Sequence, residues 1–422
     1  MSSTQKQSAP QGGAEKPRLP IRNRLLHMSD DELARFVAFA DEHPGLVSRH
    51  HLLQKLAIFD FVYPIVARHP HETILEIGCG YGVHSALLSQ FGRVSATELQ
   101  VPGSFVGANH DVGSGRETVL RGLAKGEVQF AHNDGRRLPY PDRTFDIVFH
   151  NSVIEHVPDV VAYNQEVLRV LKPGGICICI TGTPMLCAFR FVGGFVLKLP
   201  FILAVAVARE LGWASRLATA ALAAAGISVA TRGKVAERLQ RVDRRLGAVA
   251  GLERPAAAAA AALRSRVNVR AHYARLYHYL YFPSYNRIVL DEIAREHGVS
   301  VEELLRCMEL HFRGRINRLR FSLTPRTHGQ HYRNARHEMR EWRLPRWEEQ
   351  FRAAGFAVDI LEGFRFHQVL EATPSYKWDS ALYYRAVRMI HGADWLRARP
   401  KLSSEFILVA RRPLLTPPET VG

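Results

Sequence analysis

An open α/β sheet with helices on both faces is the fold class that the sequence predicts, and three observations predict it. Ile74, Leu75 and Ile77 make a short apolar run, interrupted by Glu76, that breaks at Gly78-Cys79-Gly80-Tyr81-Gly82 and passes into a helical pattern. That pattern leads to a second short strand, which ends at Glu98, about 20 positions after the first glycine. Three further strand patterns follow in order, at 128–131, 145–149 and 176–181.

A strand, a glycine turn, a helix and an acid at the tip of the next strand describe a mononucleotide-binding half of such a sheet. Glycine carries no Cβ, so the backbone of the turn can come close to a ligand. Glu98 is placed to accept both hydroxyl hydrogens of a ribose. The glycines are spaced G-x-G-x-G rather than G-x-G-x-x-G, which favours an adenosyl ligand without a pyrophosphate. The third strand ends at Asn133-Asp134, where the Asp134 carboxylate is expected to take an adenine amino group. A glycine turn alone would serve equally to close any α/β unit, so the ordered stations carry the reading.

The fourth strand is preceded by the turn LPYPD and followed by HNSVIEHVPD. A helix over 160–171 then meets Lys172-Pro173-Gly174-Gly175, a helix stop. Near the end of the chain, 347–354 reads as a helix stopped by Gly355, 357–361 as a sixth strand and 404–410 as a seventh. ILEIGCGYG, TEL, NDGRRLPYPDRTFDIVFHNSVIEHVPD and LRVLKPGG, each at its expected place, resemble the class I S-adenosylmethionine-dependent methyltransferases. The resemblance is to their small-molecule branch, methyltransferase type 11, typified by the C-methylating enzymes of ubiquinone and menaquinone biosynthesis. It implies a Rossmann-like sheet of seven strands whose last strand runs antiparallel between the fifth and sixth. It also implies S-adenosyl-L-methionine as cofactor, bound by Glu76, Gly78, Gly80, Gly82, Glu98, Asp134 and Asn151.

The core on this reading comprises 71–181 and 341–412, with 182–340 inserted after the fifth strand as a mainly helical segment and 363–403 between strands six and seven. Ahead of it, Ser29-Asp30-Asp31-Glu32 has the form of a capping box, and two helices are expected within 23–70. In the resembling enzymes such helices form a lid over the cofactor cleft; simple packing on the sheet edge fits the sequence equally well. Residues 1–22 are rich in Ser, Gln, Gly and Pro without an apolar core and read as a disordered tail, not a secretory signal; 413–422 read as a second tail. The 5 cysteines form no paired framework, and Cys177 and Cys179 share one face of a core strand. Thiols of this kind suit a reducing cytosol, and a cytoplasmic enzyme, peripheral to the membrane if it meets one, is expected.

The insertion carries the charge. Residues 182–340 hold 26 Lys and Arg against 11 Asp and Glu, a net of +15, whereas the whole chain is +16. The same segment holds the most apolar stretch, FVGGFVLKLPFILAVAVA at 191–208, and a second alanine-rich run at 217–230; the alanine run at 256–262 is a helix or a linker. Apolar segments flanked by arginines suit an anionic membrane surface. Lys198 and Pro200 in the middle argue against a spanning helix, and a basic cap over the pocket is the competing reading. Arg, Tyr and His interleave over 264–287, yet Asn151-Ser152-Val153-Ile154 replaces the tetrapeptide that base-amino methyltransferases carry, which argues against nucleic acid.

Methyl transfer needs position, desolvation and removal of a proton from the acceptor. His156, and after it Glu155, follow the fourth strand, where a donor methyl should point, and His156 is the candidate base; a residue packing the helix entry is the competing reading. His328, His331 and His337 gather just before the returning helix. His328, beside Gly329, is the candidate there, since glycine would admit a ligand to that loop; the three histidines lack the companions of a metal site, and no metal is expected. Two functions fit: methyl transfer to a small-molecule, lipid-linked or saccharide acceptor, and cofactor binding without transfer, as a scaffold or partner. RNA methylation is the weaker third.

Overall fold

In the computed structural model of the chain, the described residues are 25–99 apart from 45 and 48, 112–133, 137–192 with 196, 199, 200 and 203, 266–281, 286–364 apart from 326 and 330, and 395–414 apart from 396 and 397. The apolar segments at 191–208 and 217–230 thus fall largely or wholly outside the described residues, as do the alanine run, both tails and most of 363–403.

Seven strands form one sheet: β1 (Thr73–Ile77), β2 (Arg93–Leu99), β3 (Val128–Asn133), β4 (Phe145–Asn151), β5 (Leu171–Gly182), β6 (Ala357–Phe364) and β7 (Glu405–Arg411). Their order is β3-β2-β1-β4-β5-β7-β6. The first five pair in parallel, and β7 runs antiparallel to both β5 and β6. This is the predicted sheet, including the reversed last strand.

Period-2 alternation divides β5 between two cores. Ile176, Ile178 and Ile180 face one cluster, which also takes the buried faces of α1 (Asp30–Glu42), α2 (Arg49–Arg68), α3 (Val83–Leu88) and α4 (Val112–Leu123). Cys177 and Cys179 face the other, with α5 (Val160–Val170), α6 (Pro184–Phe191) and the returning helix Leu344–Ala353. All five cysteines are buried and unbridged, and each fully buried Ile or Phe here contributes roughly 1.5–3 kcal/mol. The capping box of α1 is present in both directions, and its Phe39 packs where a Cβ on Gly122 of α4 would stand. Leu46, between α1 and α2, lies against Gly115 next to Tyr81 of the glycine turn. The two leading helices therefore pack on α3 and α4, and their connection comes up to the turn.

The region after β5 is helical where described. A 3-10 turn (Val269–His272) and helices α7 (Tyr273–Tyr281), α8 (Asn286–His297), α9 (Val301–Phe312) and α10 (Arg315–Ser322) enclose a third core of their own, around Leu276, Ile293, Met308 and Phe321. The Tyr and His side chains of 272, 273 and 277 face inward, as amphipathic packing requires. Then come α11 (Ala335–Glu341) and α12 (Leu344–Ala353). Among the described residues no helix is long and apolar enough to cross a membrane.

One boundary differs from the sequence reading. Helix α5 ends at Val170, and β5 already begins at Leu171, so Lys172–Gly175 form a bulge instead of a free loop. The cause lies beyond β7: Gly174, at φ +79, donates its N–H to the Arg412 carbonyl at 3.0 Å, and Arg412 N donates to Gly175 O at 2.9 Å. The Arg412 guanidinium then donates to the carbonyls of Leu168 and Leu171 at 2.7 and 2.6 Å, satisfying the end of α5 that no following turn would reach.

Asp146 fixes the opposite edge. Its carboxylate accepts from the N–H of Glu72 and of Thr73, both at 3.0 Å, from Thr73 Oγ1 at 2.9 Å and from Lys172 Nζ at 3.0 Å, so one side chain ties β1, β4 and β5 together. Burial works to raise its pKa, but these four donors outweigh burial and bring it down to about 2. The folded pKa is depressed, so the stabilisation is present above the unfolded value near 3.8 and is lost as pH falls through about 2. Asp146→Asn should lower stability at neutral pH by roughly 1–2 kcal/mol and flatten the dependence on pH between those values. Urea melts of both proteins at stepped pH check this; parallel curves would contradict it.

Candidate functional site

The site is built at the carboxyl ends of β1 and β4, which are neighbours in register with Ile77 opposite His150. β1 exits into a turn whose three glycines all have positive φ, at +74, +54 and +81 for Gly78, Gly80 and Gly82. Gly78 and Cys79 donate to Thr97 O at 2.9 and 3.0 Å, and Gly82 donates to Cys79 O at 2.8 Å. A Cβ on Gly78 would strike Val153, and one on Gly82 would crowd Leu120, but one on Gly80 would meet nothing within 4 Å among the described residues. Two glycines therefore close the turn on protein, and the third faces open space.

Glu98, at the tip of β2, reaches this turn: its Oε2 accepts the Gly80 N–H at 2.7 Å. Arg116 of α4 holds the other side of the same residue, donating Nε to Gly80 O at 2.9 Å. Its guanidinium stacks on Phe130 of β3 at 3.6 Å and is almost wholly buried. No motif announced Arg116, because it acts from a helix outside the glycine signature on a backbone carbonyl. Glu76 lies beneath the turn at 2 % exposure, accepting from Ser85 Oγ and standing 3.7 Å from His84 Nδ1. It anchors the first turn of α3 to β1. Burial pushes the His84 pKa down and the Cys79 thiol well up, the latter helped by the charge of Glu76, so His84 is neutral and Cys79 is no nucleophile at neutral pH. Asp134 lies outside the described residues; Asn133 before it ends β3 in register with Leu99.

β4 exits through Asn151 and Ser152. Asn151 is 8 % exposed, and its Oδ1 has no hydrogen-bond partner among the described residues. Ser152 adopts φ +57, a conformation that a non-glycine residue holds only when its surroundings impose it; its N–H donates to Ile180 O at 2.9 Å. A short 3-10 turn (Ile154–His156) follows. Glu155 is 2 % exposed, accepts from Thr181 Oγ1 at 3.0 Å and lies 3.5 Å from His328 Nε2. The His156 and His328 rings lie 4.9 Å apart, tilted by 39°. The two candidate bases, one following β4 and the other near the end of the large insertion, thus meet around one carboxylate.

Gly329 serves differently from the expectation. A Cβ there would lie 2.5 Å from Glu155 O and 2.7 Å from the Tyr332 ring, so the glycine admits the protein's own turn and not a ligand. Glu338 clasps the loop by accepting the N–H groups of His328 and Gly329. Tyr332 OH accepts from Trp342 Nε1 at 2.7 Å, and Trp342 packs where a side chain on Gly182 would stand. The other two histidines of the run turn elsewhere. His331 packs on Tyr332 at 4.0 Å, while His337, on α11, accepts the N–H of Arg333 ahead of that helix. Glu155, His156 and His328 also offer ligand atoms within 4.8 Å of one another, the donor set a divalent cation would use. A second such group, His272, Glu296 and His297, includes Glu296 already paired with the buried Arg275 at 2.8 Å; a cation there would face that guanidinium.

A family profile described as a methyltransferase domain matches residues 75–179. The chain is 31% identical over 184 residues to a ubiquinone biosynthesis O-methyltransferase of Dinoroseobacter shibae, covering 40% of this chain and 70% of that one. It is 30% identical over 109 residues to the 2-methyl-6-phytyl-1,4-hydroquinone methyltransferase of Synechocystis, covering 26% and 31% of the two chains, and 30% identical over 122 residues to a sterol 24-C-methyltransferase of Gibberella zeae, covering 26% and 30%. The chain thus spans less than a third of the length of these last two relatives. Among solved structures, a methyltransferase from Aquifex aeolicus aligns over 30% of this chain and 64% of its own, at 20% identity and a TM-score of 0.26. With the sheet order, the glycine turn and the sequence relatives in hand, the chain belongs to the class I S-adenosylmethionine-dependent methyltransferases.

The residues at the turn fit that cofactor: among the described residues there is open space over Gly80, a carboxylate at the tip of β2 that reaches the turn, and a buried amide oxygen with no partner. We propose that Gly80 and Glu98 carry most of the affinity. Gly80→Val would fill the open side and strain a positive φ, and Glu98→Ala should cost about 1.5–3 kcal/mol as the loss of a charged hydrogen-bonding partner. Calorimetry with S-adenosylhomocysteine measures both; unchanged affinity in the two variants would remove the assignment.

Proposed function

We propose that this chain transfers a methyl group from S-adenosylmethionine to a hydrophobic or lipid-linked small molecule, with His328 and Glu155 managing the proton of the acceptor. The observation that carries the reading is the meeting of Glu155, His156 and His328 beside the carboxyl end of β4. The cofactor supplies an activated methyl on a sulfonium, and the chain supplies the rest. Gly78, Gly80, Gly82, Glu98, Asp134 and Asn151 hold the donor; Asn151 Oδ1 is suited to an ammonium. Glu76 supports the turn from below. The buried Glu155, fixed by Thr181, orients His328 and stabilises its imidazolium once a proton is taken, while the His156 ring confines it from the other side. Trp342 and Tyr332 keep water from the back of this group.

The class of acceptor is supported by the relatives, which are named for quinone and sterol methylation. Catalysis by a positioned base typically contributes 10²–10⁴-fold. His328→Ala should therefore slow transfer by about that factor and leave S-adenosylhomocysteine affinity unchanged. Radiolabelled donor with native lipid and soluble extracts finds the acceptor. Cofactor binding with no transfer to either extract would leave the chain a binding protein instead.

The basic insertion brings this site to an anionic membrane surface on the same proposal, supported by the net +15 of 182–340 and by the apolar stretch at 191–208. Exposed charges are screened beyond about 8–10 Å at 0.1–0.15 M salt. Flotation with vesicles should then rise with anionic lipid content and fall with salt. A protein that never floats would instead have a basic cap over its pocket.

A further inference from the structure

Between the 3-10 turn at Val269–His272, the end of α10 and residues 333–334 lies a cleft of about 340 Å³. Arg270, Arg320 and Arg333 line it with Tyr273, Leu323 and Asn334, and none of its wall residues among the described residues is acidic. Other arginines of the same helical region are neutralised in place: Arg266 by Glu303, Arg275 by Glu292 and Glu296, Arg306 by Glu302 and Arg313 by Glu309. None of the three cleft arginines has a carboxylate partner among the described residues. Three like charges around one concavity repel one another unless an anion sits among them.

The cleft is built on rigid groups. Tyr273 is 4 % exposed; its hydroxyl donates to Asn317 O at 3.1 Å and meets His311 Nε2 at 2.6 Å, and its ring stands edge-on to Phe321 at 5.3 Å. Asn334 Oδ1 accepts the His337 N–H at 2.9 Å as the cap of α11, which fixes the amide and leaves its NH₂ as a donor. Arg270 and Arg320 share the cleft wall with that ring, and their charges pull the Tyr273 pKa down against the larger effect of burial, which raises it. The donors are planar forks that match phosphate oxygens in pairs, and Leu323 with the two alanines of the wall gives an apolar side.

We infer that this cleft binds the phosphate group of a small ligand and, resting on the methyltransferase reading, that the ligand is the acceptor held by its anionic end. Arg333 follows His328 by five residues in the sequence, so at most about 18 Å of chain separates them, a span that a lipid-linked or phosphorylated metabolite bridges. The phosphate belongs either to a lipid headgroup or to a soluble metabolite.

Calorimetry of the full chain with glycerol 3-phosphate and with dihexanoyl phosphatidic acid separates the two sources. The site predicts that Arg320→Gln and Arg333→Gln each weaken the bound probe about ten-fold or more, with S-adenosylhomocysteine affinity unchanged. Phosphatidic acid binding about ten-fold tighter than glycerol 3-phosphate would assign the ligand to lipid; equal affinities would assign it to soluble phosphates. If neither probe binds at millimolar concentration, or binding survives in the double variant, the site is overturned, and the methyltransferase reading stands on its own labelled-donor assay. Conversely, arginine-dependent probe binding with no transfer to any extract would overturn the acceptor assignment and leave the anion site in place.

Discussion

Parallel pairing of β1 with β4, Ile77 opposite His150, is the constraint on which the rest of the structure depends. Two parallel strands in register end at the same edge, so whatever follows each of them is brought together. β1 is followed by a turn that needs three positive φ values, and β4 by a serine held at φ +57. Each exit shapes the other: Val153, beyond Ser152, occupies the space that a side chain on Gly78 would need. The register is held at the other end by Asp146, which ties the starts of β1 and β5 to β4. A slip of one residue would turn the Ile and Cys faces of β5 into the wrong cores.

Much of this was legible in the sequence because its determinants are local. Strand patterns, the glycine spacing, the capping box at Ser29 and the acid at the end of β2 each depend on residues a few positions apart. Glu98 was placed correctly at the tip of β2, although its reach back to Gly80 N–H is a tertiary fact. What escaped was long-range. Arg116 acts on the turn from α4 and carries no signature. The bulge at Lys172–Gly175 is set by Arg412, more than half the chain away. The same is true of the acceptor side: His156 and His328 were each singled out, but nothing in the spacing joined them. Gly329 offers room for a ligand in the sequence, and the structure uses it to make room for the Glu155 carbonyl.

Charge distribution follows a similar logic. Composition shows that the excess of arginine lies in one inserted segment, and the fold shows how unequally that excess is compensated. Arg275, buried at 1 % exposure, is held by two glutamates on α8 and is part of the helical core. Arg270, Arg320 and Arg333 instead surround a cavity with no acidic wall among the described residues. Buried ion pairs of the first kind favour one arrangement of helices; convergent arginines of the second kind favour a ligand.

The central claim is that the donor lies over Gly80 with its methyl directed toward the Glu155–His156–His328 group. A crystal structure with S-adenosylhomocysteine tests this most directly. The account predicts the ribose hydroxyls on Glu98, the amino-acid end near Asn151 and the sulfur facing His328. A ligand seated away from Gly80, or one whose sulfur faces away from the two histidines, would contradict it.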